Sequence, residues 1–127
     1  MEMNTSQSES EIMRIIWQGG GTITLGPLLT KLSAIGKSWK SNTVVTFLAR
    51  LVEKGLLTVE KSGRNNTYIA VLTEAEYREQ QMQLFLHKIY EGDVKELIMS
   101  LLKQVRLSPH EIEELKAYWE KEKTDNE

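Results

Sequence analysis

The chain has 127 residues, with 16 lysines and arginines against 18 aspartates and glutamates, and it contains no cysteine. At 40% hydrophobic and 27% charged residues it has the composition of a folded protein, long enough for one compact domain or two small ones. The missing cysteines exclude disulfides, thiolate metal sites and thiol catalysis, and the net charge of -2, taken as a sum, argues against a polyanionic partner.

Ser6 or Ser8, each with a glutamate three residues on (Glu9, Glu11), offers a capping box ahead of Ile12, Met13, Ile15, Ile16 and Trp17. The intervals of three and four predict an amphipathic helix that Gly19-Gly20-Gly21 must end. Thr22-Ile23-Thr24 reads as a short strand. Thr24 is then placed to cap a second helix carrying Leu25, Leu28, Leu29 and Leu32, with Pro27 tolerated in its first turn. A turn around Gly36 follows. Ser41 is expected to cap a third helix that runs to Lys54 and stops at Gly55.

That third helix has two different faces. Val44, Leu48, Leu51 and Val52 fall on one side; Asn42, Thr43, Thr46 and Arg50 gather on the other. The second face is short, hydrogen-bonding and nearly free of the Glu/Lys pairs that solvate an ordinary surface helix. Amides, hydroxyls, a methyl and a guanidinium are what a protein needs to read base edges in a major groove. Residues 57–61 and 67–71 then predict two strands rich in β-branched and aromatic side chains, joined by a turn-forming segment with Arg64 at its tip. Three helices followed by a hairpin with a basic tip is the order of a winged helix-turn-helix, with the third helix in the groove and the wing along phosphate.

Past Leu72 the pattern becomes purely helical. Thr73-Glu74-Ala75-Glu76 is a capping box, with Leu72 and Tyr77 as a hydrophobic staple. The helix it opens carries Tyr77, Phe85, Leu86 and Ile89 over more of its circumference than one neighbour covers. A second helix carries Leu97, Ile98, Leu101 and Leu102. Ser108-Pro109-His110-Glu111 opens a third with Ile112, Leu115 and Trp119 before a polar tail that is expected to fray. Apolar residues on several sides of three short helices predict pairing with a second copy, so these residues are the expected homodimer interface. The fold class expected is therefore mainly α with a small β-hairpin wing: a winged helix-turn-helix over 1–72 and a three-helix dimerisation domain over 73–127.

Resolved along the chain, the charge tells a different story from its sum. Residues 1–72 hold eight basic and five acidic side chains, a net +3, while 73–127 hold eight basic and thirteen acidic, a net -5. Between Lys31 and Arg64 seven basic residues face only Glu53 and Glu60. Lys40, Ser41, Lys61 and Arg64 are the expected phosphate contacts, with Asn42, Thr43, Thr46 and Arg50 facing the bases.

These residues resemble the penicillinase-repressor family. The similarity runs from Glu9 to about Lys121. It is densest at Glu11-Ile12-Met13 through Trp17, Trp39 through Arg50-Leu51, Lys54-Gly55-Leu56, and Lys61 with Gly63-Arg64 and Tyr68. Tyr77, Phe85-Leu86, Tyr90 and Leu107-Ser108 extend the match. The resemblance implies a homodimeric repressor that binds palindromic promoter DNA. Three departures stand out. Lys40-Ser41-Asn42 replaces the Ser-Pro-Lys that often opens the family's recognition helix, which implies a different operator. Ser100-Leu101 stands where the β-lactam branch has the Asn-Phe bond cut through a sensor-protease pathway, so cleavage there, if it is the release step, is recognised differently. The cysteine-rich tail of the copper branch is absent.

Other readings of the residues are bland or weaker. Trp17, Trp39 and Trp119 read as core or interface, with Trp39 anchoring the start of the third helix. His87 and His110 read as solvated or capping side chains, and no cofactor or metal is expected. No nucleophile, acid/base pair or phosphate loop supports an enzyme. No apolar run approaches a membrane span and the polar start is no signal peptide, so no membrane insertion and a cytoplasmic location are expected. A winged-helix module that binds protein instead of DNA, and release by a small ligand in the helical domain, stay open at this point.

Overall fold

A computed structural model describes residues 5–125; the polar ends noted in the sequence, 1–4 and 126–127, lie outside them. The elements run α1 (Gln7–Gln18), β1 (Thr22–Thr24), α2 (Leu25–Ala34), α3 (Ser41–Glu53), β2 (Leu57–Ser62), β3 (Asn65–Ala70), α4 (Glu74–Tyr90), α5 (Val94–Gln104) and α6 (Pro109–Asp125). They fall into two compact units that divide between Leu84 and Phe85.

In the first unit, Ser6 rather than Ser8 caps α1. Its hydroxyl accepts the Glu9 N–H while the Glu9 carboxylate accepts the Ser6 N–H, both at 3.2 Å. The glycine run closes the helix, with the Gly20 N–H donating to Trp17 and the Gly21 N–H to Ile16. β1, expected as a short strand, is the third member of an antiparallel sheet ordered β1-β3-β2, with Ile23 opposite Tyr68 and Val59 opposite the same tyrosine on the other side. Ile12 and Ile16 of α1, Leu28 and Leu32 of α2, and Val44, Leu48 and Leu51 of α3 meet at 0–1% exposure. Each such side chain contributes about 1.5–3 kcal/mol on burial, so the apolar faces fix which side of each helix stays in water.

The sequence placed the module boundary after Leu72, whereas the first unit continues through the opening turns of α4. The reason is aromatic. The Tyr77 ring packs on Trp17 at 5.3 Å between centroids, its hydroxyl shares a 3.1 Å hydrogen bond with Thr5, and the Trp17 indole N–H donates to the Leu72 carbonyl at 2.9 Å.

The second unit holds the end of α4 together with α5 and α6. Asp93, not anticipated from sequence, caps α5 by accepting the Glu96 N–H at 3.0 Å. The Ser108–Glu111 capping box forms as expected, at 2.9 and 3.1 Å, with Pro109 as the first residue of α6. α6 continues past Trp119 to Asp125, where a frayed tail was expected, and the Thr124 hydroxyl bonds the Glu120 carbonyl within it. No residue of α5 or α6 is buried. Among the described residues no helix is long and apolar enough to cross a membrane.

Candidate nucleic-acid interface

α3 begins one residue earlier than its sequence signal. Lys40 is the N-cap, with extended backbone (φ -68, ψ 151), and its carbonyl accepts the first helical bonds from Thr43 and Val44. Ser41 is thereby the first helical residue and does not cap: the Thr43 and Val44 N–H groups that its hydroxyl would accept go to the Lys40 carbonyl. Trp39 meets Phe47 edge-on at 5.3 Å and fixes how the chain enters α3. At the far end Gly55, at φ +82, lets the Leu56 N–H return to the Leu51 carbonyl, the closure that a glycine makes at a helix end.

With Val44, Leu48 and Leu51 fully buried, Asn42, Thr43, Thr46 and Arg50 are all exposed on the opposite side of α3. Among the described residues the side chains of Asn42, Thr43 and Arg50 have no hydrogen-bond or ion-pair partner. Thr46 differs: its hydroxyl donates to the Asn42 carbonyl at 3.0 Å, leaving acceptor lone pairs and a methyl for an outside group. Two apolar side chains that the sequence reading assigned to neither face, Val45 and Ala49, are exposed beside them, Val45 at 40%. Their signal was available in the helical period, which leaves both outside the arc that Val44, Leu48 and Leu51 bury.

The hairpin turns through Gly63 and Arg64 alone, two residues instead of the five expected, because pairing continues to Ser62 opposite Asn65. Gly63 takes φ +63 at the first turn position, which a two-residue hairpin requires. Arg64 is exposed at the tip and Lys61 is exposed on β2. A cleft of about 340 Å³ joins the three parts of this surface. It is lined by Thr24 to Pro27 at the start of α2, Val45 of α3, and Arg64 with Asn65 and Asn66 of the hairpin.

The basic cluster read from the sequence is partly spent inside the fold. Lys54 ion-pairs with Glu9 at 2.7 Å and Lys37 with Glu11 at 3.7 Å. Glu9 is 2% exposed. Burial pushes its carboxyl up; the Lys54 hydrogen bonds, the Ser6 N–H and the Lys54 charge outweigh that and hold it below the usual carboxylate value. Lys40, Arg50, Lys61 and Arg64 have no such partner among the described residues and form the outward charge of this surface.

The residues expected to face a second copy divide. Leu86 is buried at 7% exposure and so is covered within one chain, while Tyr77 is half-buried with its ring against Trp17. Leu97 is half-buried, while Phe85, Ile89, Ile98, Leu101, Leu102, Ile112, Leu115 and Trp119 are exposed by 39–65%. Ser100 and Leu101 lie inside α5, with Leu101 half exposed. Among the described residues no group of histidines and carboxylates is gathered to hold a metal.

The chain matches the family described as Penicillinase repressor over residues 5–121. It is 33% identical over 110 residues to the penicillinase repressor of Bacillus licheniformis, covering 87% of this chain and 84% of that protein. It is 27% identical over 111 residues to the methicillin resistance regulatory protein MecI of Staphylococcus aureus strain N315, covering 87% and 89%. Among solved structures, the DNA-binding domain of the repressor BlaI superposes with a TM-score of 0.51 at 32% identity, over 58% of this chain and 88% of that domain.

Proposed function

Because the chain belongs to the penicillinase repressor family, we propose that it is a homodimeric transcriptional repressor that holds palindromic operator DNA with α3 and the β2–β3 hairpin. The observation that carries this reading is the outer face of α3. Among the described residues Asn42, Thr43 and Arg50 stand there without internal partners, on a helix whose other side is locked into the core. Arg50 and Asn42 supply bidentate donors and an acceptor for base edges, while Lys40, Ser41, Lys61 and Arg64 bind phosphate and set the register. Repression works by occupancy of the promoter and not by catalysis, in the cytoplasm where the operator lies.

The apolar side chains exposed on α5 and α6 support dimerisation, since a monomer leaving Ile98, Leu102, Leu115 and Trp119 half or more exposed gains from covering them. Two recognition helices then meet successive major-groove faces. Release follows an inducing signal through a sensor-protease pathway. Cutting at Ser100-Leu101 requires α5 to open first, because a protease takes its substrate extended and this bond lies inside a helix. A gel shift with the full chain and its own promoter region tests the proposal. A complex that weakens steeply between 50 and 200 mM salt, on the order of a thousandfold for six or more phosphate contacts, is the expected result. No salt-sensitive shift at micromolar protein would overturn it in favour of a protein-binding winged helix.

A further inference from the structure

We propose that Val45 and Ala49 read thymine 5-methyl groups, making an apolar strip on α3 part of the operator code. The inference rests on the DNA-binding reading above and deepens it by naming the base feature recognised. Asn42, Val45, Thr46 and Ala49 fall within one arc of about 100° on the helix. Val45 is 40% exposed and Ala49 is exposed, although Val44, Leu48 and Leu51 already complete the buried side. A merely solvated position in mid-helix is better served by lysine or glutamate, whereas valine has low helix propensity and exposes branched carbon to water.

The hydrogen-bonding state of the neighbouring residue points the same way. Thr46 spends its only proton on the Asn42 carbonyl, so it offers a partner its methyl and acceptor lone pairs but no donor. With that bond in place the centre of the strip has no donor for the acceptors that guanine presents in the major groove. It suits thymine, the base with an apolar group there. Val45 also lines the cleft shared with Arg64 and Asn65, which ties the strip to the surface that grips the backbone. Donor chemistry is left to Asn42 and Arg50 at either end, so each half-site should pair a hydrogen-bonded purine with one or two methyl-read thymines.

The experiment uses the full chain and a duplex selected from a random pool by binding to it. Each thymine is replaced in turn by deoxyuridine, which deletes the methyl and keeps the pairing edge. At one or two thymines per half-site, affinity should fall about fourfold, equivalent to about 0.8 kcal/mol for one buried methyl. In Val45→Ala the same replacement should cost less than twofold at the thymine facing residue 45, and Val45→Thr, of equal volume, should keep binding but shift the selected base there. Uniform tolerance of deoxyuridine at every position overturns the proposal, as does a deoxyuridine effect undiminished in Val45→Ala. Failure to select any preferred duplex is a separate outcome, since it removes the base-reading function itself.

Discussion

Replacing Lys54 by methionine tests how the charge of the first unit is divided between fold and function. The Glu9 carboxylate is 2% exposed and receives the Lys54 ammonium at 2.7 and 2.9 Å. Methionine keeps most of the apolar stem but leaves an uncompensated anion against α1 and α3. Breaking a buried pair costs about 3–5 kcal/mol, and the 31% exposure of the Lys54 side chain puts this case near the lower end, about 3 kcal/mol. With a urea dependence of about 2 kcal/mol per molar, the midpoint should fall by about 1.5 M at pH 7. The pH dependence carries the sign. The folded-state value of Glu9 is depressed, so its stabilisation is fully present above the unfolded value near 4.3 and is lost as pH falls through the folded value. The deficit of Lys54→Met should therefore shrink as pH falls, since protonating Glu9 removes the uncompensated anion from the variant and, below the folded value, the ion pair from the parent. Urea titrations in a Trp119→Phe background would leave Trp17 and Trp39 to report on the first unit alone. A midpoint within 0.3 M of the parent at pH 7 would refute the reasoning, and so would a deficit that does not shrink as pH is lowered.

Arg64→Ala should weaken binding to every duplex alike and reduce the slope of log affinity against log salt by about 0.9, the value for one phosphate contact; an unchanged slope removes the hairpin from the interface. Leu102→Asp, at a position 53% exposed in the single chain, should abolish the proposed dimer in sedimentation velocity without changing helical content, and a variant that sediments as the parent does would exclude α5 from the contact. Gly63→Val places a branched side chain at φ +63 and should cost at least 1–2 kcal/mol in urea unfolding, with Gly63→Asn costing less than half of that; equal stability of Gly63→Val and the parent would contradict the two-residue turn.

Much of this protein was legible because its signals are local. Three capping boxes, at Ser6, Thr73 and Ser108, each need only a hydroxyl and a glutamate three residues apart, and all three form. The buried side of α3 follows from helical period alone, since Val44, Leu48 and Leu51 recur at three and four. Once that side is known, the outward position of Asn42, Thr43, Thr46 and Arg50 is settled by geometry. The limits of such reading also fall at local details. At the start of α3 both Lys40 and Ser41 are adjacent candidates, and a serine that could cap does not, because the backbone turns helical one residue sooner.

Charge shows most clearly where sequence stops and tertiary structure begins. The order of residues by itself determined that the basic side chains concentrate between Lys31 and Arg64 while the acidic ones gather beyond residue 73. It could not determine which of them remain available. Glu9 and Lys54 are 45 positions apart and meet only because α1 lies against α3; Lys37 is likewise claimed by Glu11. The same holds for Tyr77, whose ring has an ordinary place in the pattern of an exposed helix until Trp17 arrives beneath it. Periodicity records which way a side chain points from its own helix. What it meets there depends on chain brought from elsewhere, and that was decided only when the helices packed.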